Sequence, residues 1–171
     1  FLVLLVGCTK PELKPDTQPL PVSVDIKLPF PNPEWSLAVI QAVEKELPQI
    51  EKASDLEFFC PKWKTLNKDQ KVNAFSVLVA GVVKRESDFN PNSKYQEPMP
   101  PKGPGTLSAG LLQISVGDSR YGGECLALNK ASIFDPILNL RCGIHMMGSL
   151  IARDGVIQNS SNKGMARYWS V

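Results

Sequence analysis

Seven prolines between Thr9 and Pro33 (Pro11, Pro15, Pro19, Pro21, Pro29, Pro31 and Pro33) set the first limit on what this chain can fold into. Each removes a backbone donor and holds φ near about −65°, so the segment reads as extended, polyproline-like chain and not as helix or central strand. Residues 9–31 are expected to form a tether advancing about 3 Å per residue. Within it Val22, Val24, Ile26 and Leu28 alternate as an edge strand would, so an arm wrapped on the domain is the other form open to it. The packed domain begins at Asn32 and is expected to run over residues 32–171.

From there the apolar residues take on helical spacing. Asn32-Pro33-Glu34 combines an N-cap, a proline at the first helical position and an early acid, and is followed by Trp35, Ala38, Val39, Ala42, Val43 and Leu47 on one face. A second helix starts at Asn67 with Gln70 three residues on, and carries Val72, Phe75, Val79 and Val82 inward. A third opens at Asp135-Pro136, buries Ile137, Leu140, Ile144, Met147 and Ile151, and stops near Gly155. A fourth is expected around Lys163 to Trp169. A hydrophobic fraction of 43% over 171 residues is enough for one packed core. Trp63 and Trp169 are expected within it.

Charge and residue counts exclude several functions. With 19 Lys plus Arg against 17 Asp plus Glu, and no basic stripe interleaved with aromatics, nucleic acid is not an expected partner. The single histidine, His145, flanks the apolar stripe of the third helix four residues after Arg141 and is expected to be a boundary residue. Histidine-dependent triads and His-rich metal sites would all have to pass through it. There is no Cys-x-x-Cys pair, and Gly103, Gly105 and Gly110 lie in a proline-rich loop instead of a strand-to-helix turn. No cofactor or metal is expected.

Phe1 to Val6 is apolar but far shorter than the roughly 20 residues that span a bilayer. Ending in Leu5-Val6-Gly7-Cys8, residues 1–8 look like a signal segment and resemble the lipobox of bacterial lipoproteins. That resemblance implies a lipidated Cys8 and a membrane-anchored protein of the cell envelope, on the periplasmic face. An exported chain sits where disulfides persist. Cys60, Cys125 and Cys142 then offer one pair and leave one thiol over. Cys125 with Cys142 is the expected pair, because so short a loop closes readily and staples the preceding segment to the third helix; three reduced cysteines are the alternative.

Glu86 carries the most chemistry. It continues the stripe of Phe75, Val79 and Val82, which turns an ionisable group inward near a helix C-terminus. Burial and the negative end of the helix dipole both raise a carboxyl pKa, which is what a general acid requires. Phe89-Asn90-Pro91 ends the helix at once and leaves Glu86 at the lip of a loop. Surface pairing with Arg85 or Lys84 is the ordinary alternative.

Glu86-Ser87-Asp88-Phe89-Asn90-Pro91 and Ser108-Ala109-Gly110-Leu111-Leu112-Gln113-Ile114 resemble the two signature segments of the soluble lytic transglycosylase and goose-type lysozyme families. Asp135-Pro136 with Asn139 and Gly143 fits their third, and the likeness covers about Asn67 to Tyr168. It implies an α+β, lysozyme-like fold, predominantly helical with a small β/loop region lining a cleft. It also implies cleavage of the β-1,4 bond between N-acetylmuramic acid and N-acetylglucosamine in peptidoglycan glycan strands. Carried over, Glu86 is the catalytic acid, Ser87 supports it, and Gln113 with the Gly110 backbone lines the cleft. Tyr168, in Ala166-Arg167-Tyr168-Trp169, would contact the acid, and Tyr121 follows the Gln113 segment closely enough to line the cleft. Ser115 stands where goose-type enzymes carry a water-orienting aspartate. The segment Tyr95 to Gly105, with Pro98, Pro100, Pro101 and Pro104, is expected to be a stiff flap beside the cleft.

Two outcomes stay open. If no second carboxylate serves, Glu86 protonates the leaving oxygen and then, as carboxylate, helps the muramyl 6-hydroxyl attack the anomeric carbon, giving a 1,6-anhydro sugar. If Asp118 or Glu97 reaches the opposite face, water attacks and the enzyme is a muramidase; Asp88 and Glu124 are further acids nearby. The transglycosylase outcome is expected, with a hydrolytic lysozyme or a non-catalytic peptidoglycan-binding lipoprotein as alternatives. A monomer is expected.

Overall fold

The computed structural model describes residues 27–97, 106–159 and 162–169. The lipobox-like segment, residues 9–26 of the tether and the flap prolines Pro98 to Pro104 lie outside the described residues. The architecture is the predominantly helical α+β arrangement expected from the sequence.

Helix α1 (Pro33–Ile50) begins where Asn32 accepts the Glu34 amide at 2.9 Å, and it buries the face that starts with Trp35 and ends with Ile50. A one-turn helix, α2 (Leu56–Phe59), follows. Helix α3 (Lys68–Ser87) opens on a reciprocal capping box: Asn67 accepts the Gln70 amide at 2.9 Å and Gln70 accepts the Asn67 amide at 3.0 Å. Helix α4 (Pro136–Asp154) is capped by Asp135 and ends at Gly155, whose φ of 71° gives the left-handed turn that closes it. Helix α1 packs on α4 and α3, and the fully buried Leu140, Ile144, Met146 and Met147 make α4 the centre of the core. Trp63 and Trp169 are both buried there, as expected.

The strands are short. β1 (Lys94–Gln96) pairs antiparallel with β2 (Leu107–Ala109), Lys94 opposite Ala109, and β3 (Gln158–Asn159) pairs with β4 (Lys163–Gly164). The helix expected around Lys163 to Trp169 is instead β4 followed by a single 3-10 turn, Met165–Arg167. The cause is Gly164, at φ 62°, where a Cβ would lie 2.1 Å from the Val156 carbonyl oxygen. Asp154 then fastens the turn, accepting the Gly164 amide at 2.8 Å and Arg167 Nε at 2.7 Å.

Cys125 and Cys142 are joined, as expected, and tie the segment before α4 to the helix. Cys60 is disulfide-bonded too, so the expected odd thiol is absent from the described residues.

Asn139 connects core to cleft. Fully buried on α4, it donates from Nδ2 to the carbonyls of Ala109 (3.0 Å) and Ile133 (2.9 Å) and accepts the Leu112 amide on Oδ1 (2.8 Å). The 109–114 loop comes this close because Gly110 has no side chain: a Cβ would stand 2.1 Å from Asn139 Nδ2. Gly143 likewise lets α4 press against Leu112.

Replacing Asn139 with Ala leaves the buried Leu112 amide and Ile133 carbonyl without the partner it supplies and takes one of two donors from the Ala109 carbonyl, which keeps the Ile114 amide at 3.1 Å. The expected cost is about 2–4 kcal/mol of unfolding free energy, read from urea denaturation. A loss below about 1 kcal/mol would show that the loop does not depend on this side chain.

Candidate active site

The last turn of α3 aims Glu86 at a cleft of 640 Å³ whose other wall is built from β1, β2 and the loop after them. Helix α3 stops because Asp88 (φ 52°) and Phe89 (φ 60°) take two successive left-handed conformations, unusual for non-glycine residues and typical of strained functional turns. Glu86 is half-buried, and among the described residues no group donates a hydrogen bond to its carboxyl. Burial pushes its pKa up, and the neighbouring Arg85 only partly offsets this. A carboxyl that is raised, unpartnered and open to a cleft can deliver a proton to a bound oxygen.

The other candidate acids are placed differently. Asp118 is 1% exposed and is saturated: it accepts the Ser115 amide (2.8 Å), the Ser115 hydroxyl (2.9 Å) and the Tyr168 hydroxyl (2.6 Å), with Arg120 at 3.4 Å. The spacing Ser115 to Asp118 is itself a capping-box signal, and here it caps a 3-10 turn, Val116–Tyr121. Glu124 pairs with Lys45 at 2.6 Å, which lowers its pKa, and Asp88 pairs with Lys84 on the surface. Glu97 alone of these shares the cleft with an accessible carboxylate. It follows β1, donates its amide to the Thr106 carbonyl at 2.9 Å, and accepts the Ser108 hydroxyl on its carboxylate at 3.1 Å.

Gln113, at φ 49°, lines the cleft; its side-chain amide donates to the carbonyls of Gly110 (2.7 Å) and Ser93 (3.1 Å), which fixes the loop against β1. Tyr168 lines the cleft too, but its hydroxyl is held by Asp118 and not by Glu86. Burial and that carboxylate push its pKa far up, so it remains a neutral donor.

Three residues carried over to the site, Ser87 as a support for Glu86 and Gly110 and Tyr121 as cleft residues, are not among those that line it. Ser87 is turned onto its own helix, donating to the Val83 carbonyl at 3.1 Å. Gly110, within the 109–114 loop, packs against Asn139 and spends its amide on the Ser93 carbonyl. Tyr121 packs at the core's edge, with its carbonyl 3.3 Å from His145 Nε2; His145 Nδ1 meets Glu46 at 2.7 Å, so it is a boundary residue. The cleft also contains Ser93, Lys94, Tyr95, Thr106, Ser108, Arg120 and Arg167. Most are polar residues on short strands and 3-10 turns with no distinguishing pattern, although Tyr95, 57% exposed on β1, is the kind of aromatic that covers a sugar face. Among the described residues no three His, Cys, Asp or Glu side chains gather as a metal-binding group.

Residues 65–164 match the family described as Transglycosylase SLT domain. Among solved structures, the wild-type form 2 of DslA is 33% identical over 81% of this chain and 79% of that one, with a TM-score of 0.72. Two further DslA structures, each with one glutamate changed to glutamine, are 32% identical over the same shares, with TM-scores of 0.72 and 0.71. No curated protein matches.

Because the folded state raises the Glu86 pKa above its ordinary 4.5, the group's contribution to stability is full below that value and is lost as pH rises through the folded pKa. Glu86→Gln cannot ionise. Its melting temperature relative to wild type should therefore climb between about pH 4 and pH 7, by paired thermal denaturation. A difference that is flat over that range would contradict the raised pKa.

Proposed function

The chain belongs to the transglycosylase SLT domain family, and from that premise we propose that it cleaves the bond between N-acetylmuramic acid and N-acetylglucosamine with Glu86 as general acid and then base, leaving 1,6-anhydromuramyl ends. The observation that carries this reading is the half-buried Glu86 carboxyl, without a hydrogen-bond partner among the described residues and with its pKa raised, at the mouth of a polar cleft. The protonated carboxyl gives its proton to the glycosidic oxygen as the bond to the anomeric carbon breaks. The resulting carboxylate takes the proton of the muramyl 6-hydroxyl, whose oxygen closes on that carbon, and Glu86 is restored. Asp118 takes no part in the chemistry, since Ser115 and Tyr168 occupy it. The substrate is peptidoglycan, and the disulfides fit an exported, oxidising setting.

Hydrolysis is the second reading, and Glu97 favours it. Its carboxylate is in the same cleft. The two glutamates changed to glutamine in the DslA structures are eleven positions apart, as Glu86 and Glu97 are. In this route Glu97 activates water on the opposite face of the sugar.

Mass analysis of fragments released from purified sacculi separates the routes. Anhydromuramyl ends, with Glu97→Gln retaining most of the rate, are the expected result. Reducing muramic acid ends, together with loss of activity in Glu97→Gln, would make the enzyme a lysozyme. In either case Glu86→Gln should lose at least about 10²-fold in rate while remaining folded. A folded variant with near wild-type turnover would remove Glu86 from the mechanism.

A further inference from the structure

A second cavity, of 410 Å³, adjoins the cleft and shares Thr106 and Ser115 with it. Strand β2 divides the two spaces. Successive strand residues point to opposite faces, so Ser108 lines the cleft while Leu107 lines the side cavity. Val116 and buried Ile133 extend the apolar wall, and Leu107 and Val116 stay 41% and 37% exposed. Lys130, itself exposed, is the charged residue of the lining and makes no ion pair among the described residues. Gly117 keeps the space open. Its φ is not left-handed and an added Cβ would make only an ordinary contact, 3.6 Å from Ser115 Oγ, so the backbone does not demand glycine at this position.

This lining selects its occupant. The Ser115 hydroxyl is given to Asp118 at 2.9 Å, so a sugar ring lodged here would bury hydroxyls with few partners, which is costly. Alkyl groups bury favourably on the same wall, and a carboxylate carried beyond them would meet the Lys130 ammonium. A muramyl ring in the adjoining cleft brings such a group with it. Its lactyl ether bears a peptide stem that begins with small methyl side chains and continues with free carboxylates.

We propose, resting on the reading of the cleft as a glycan site, that the side cavity takes the peptide stem of the muramyl residue held at Glu86, so that the preferred substrate is stem-bearing and not bare glycan. The stem leaves the cleft past Thr106 and Ser115, lays its methyl groups on Leu107, Val116 and Ile133, and sets a carboxylate against Lys130.

Titration calorimetry on the full-chain Glu86→Gln protein tests the site with two peptidoglycan tetrasaccharides, one carrying its stems and one stripped of them by an amidase. Burying two methyl groups is worth roughly tenfold in affinity, so the stem-bearing ligand should bind at least about tenfold more tightly. Gly117→Leu, which fills the cavity, should bring the two affinities within about threefold; Lys130→Glu should narrow the gap and Lys130→Arg preserve it. Equal affinities before these substitutions, or a gap that neither Gly117→Leu nor Lys130→Glu moves while the melting temperature is unchanged, would overturn the proposal. Tighter binding of the stripped ligand would overturn it too, by giving Lys130 the free lactyl carboxylate instead of the stem. Digestion of sacculi by the wild-type chain reports separately on the glycosidase chemistry: cleavage with equal affinities removes the stem site alone, whereas a stem-dependent affinity without cleavage keeps the site and removes the chemistry.

Discussion

A buried side-chain amide decides where the cleft wall stands. Asn139 makes three hydrogen bonds from α4 to backbone groups of two other segments. Because Asn139 is fully buried, its loss would leave the Leu112 amide and the Ile133 carbonyl to be satisfied away from water, while the Ala109 carbonyl would keep only the Ile114 amide. The 109–114 loop is gripped on its far side as well, by Trp169 Nε1 on the Leu112 carbonyl at 2.8 Å and by Gln113 on Ser93. The chain's last described residues, the third long helix and the first strand therefore meet on one six-residue loop. Glu86 approaches it from α3 as a separate rigid element, and the gap between them is the cleft.

Two acids on this cleft illustrate how environment sorts carboxyl groups. Asp118 is more deeply buried than Glu86, yet it is surrounded by donors: an amide, two hydroxyls and a nearby guanidinium. Its role is to hold Tyr168 and the 3-10 turn in place. Glu86 is less buried but has no donor among the described residues, so desolvation raises its pKa and Arg85 offsets this only in part. Depth alone would have chosen the wrong residue.

What the sequence revealed and what it hid follow the range of the interactions involved. The three long helices were legible to their caps, because Asn32, the Asn67 and Gln70 pair, Asp135 and Gly155 act within a few residues. Glu86 was legible through its stripe and the abrupt stop after it. The structure of Lys163 to Trp169 was not, since Gly164 is constrained by Val156 and Ile157 across a strand pair and by Asp154 at the end of α4. Ser87 and Gly110 lie within the signature segments and Tyr121 follows the second, but they meet other neighbours, and a motif does not report which way a residue turns. The fate of Asp118 depended on Tyr168, 50 residues away, although its local pairing with Ser115 was there to be read.

The account rests on the claim that the glycan lies in the cleft with its scissile oxygen at Glu86. The most direct measurement is a crystal structure of the Glu86→Gln protein with a bound peptidoglycan oligosaccharide. The account predicts a glycosidic oxygen between a muramyl and a glucosaminyl ring within about 3 Å of the substituted side chain, with the strand running between α3 and the β1–β2 pair. A strand bound elsewhere, or one crossing the cleft with no glycosidic oxygen near position 86, would contradict it.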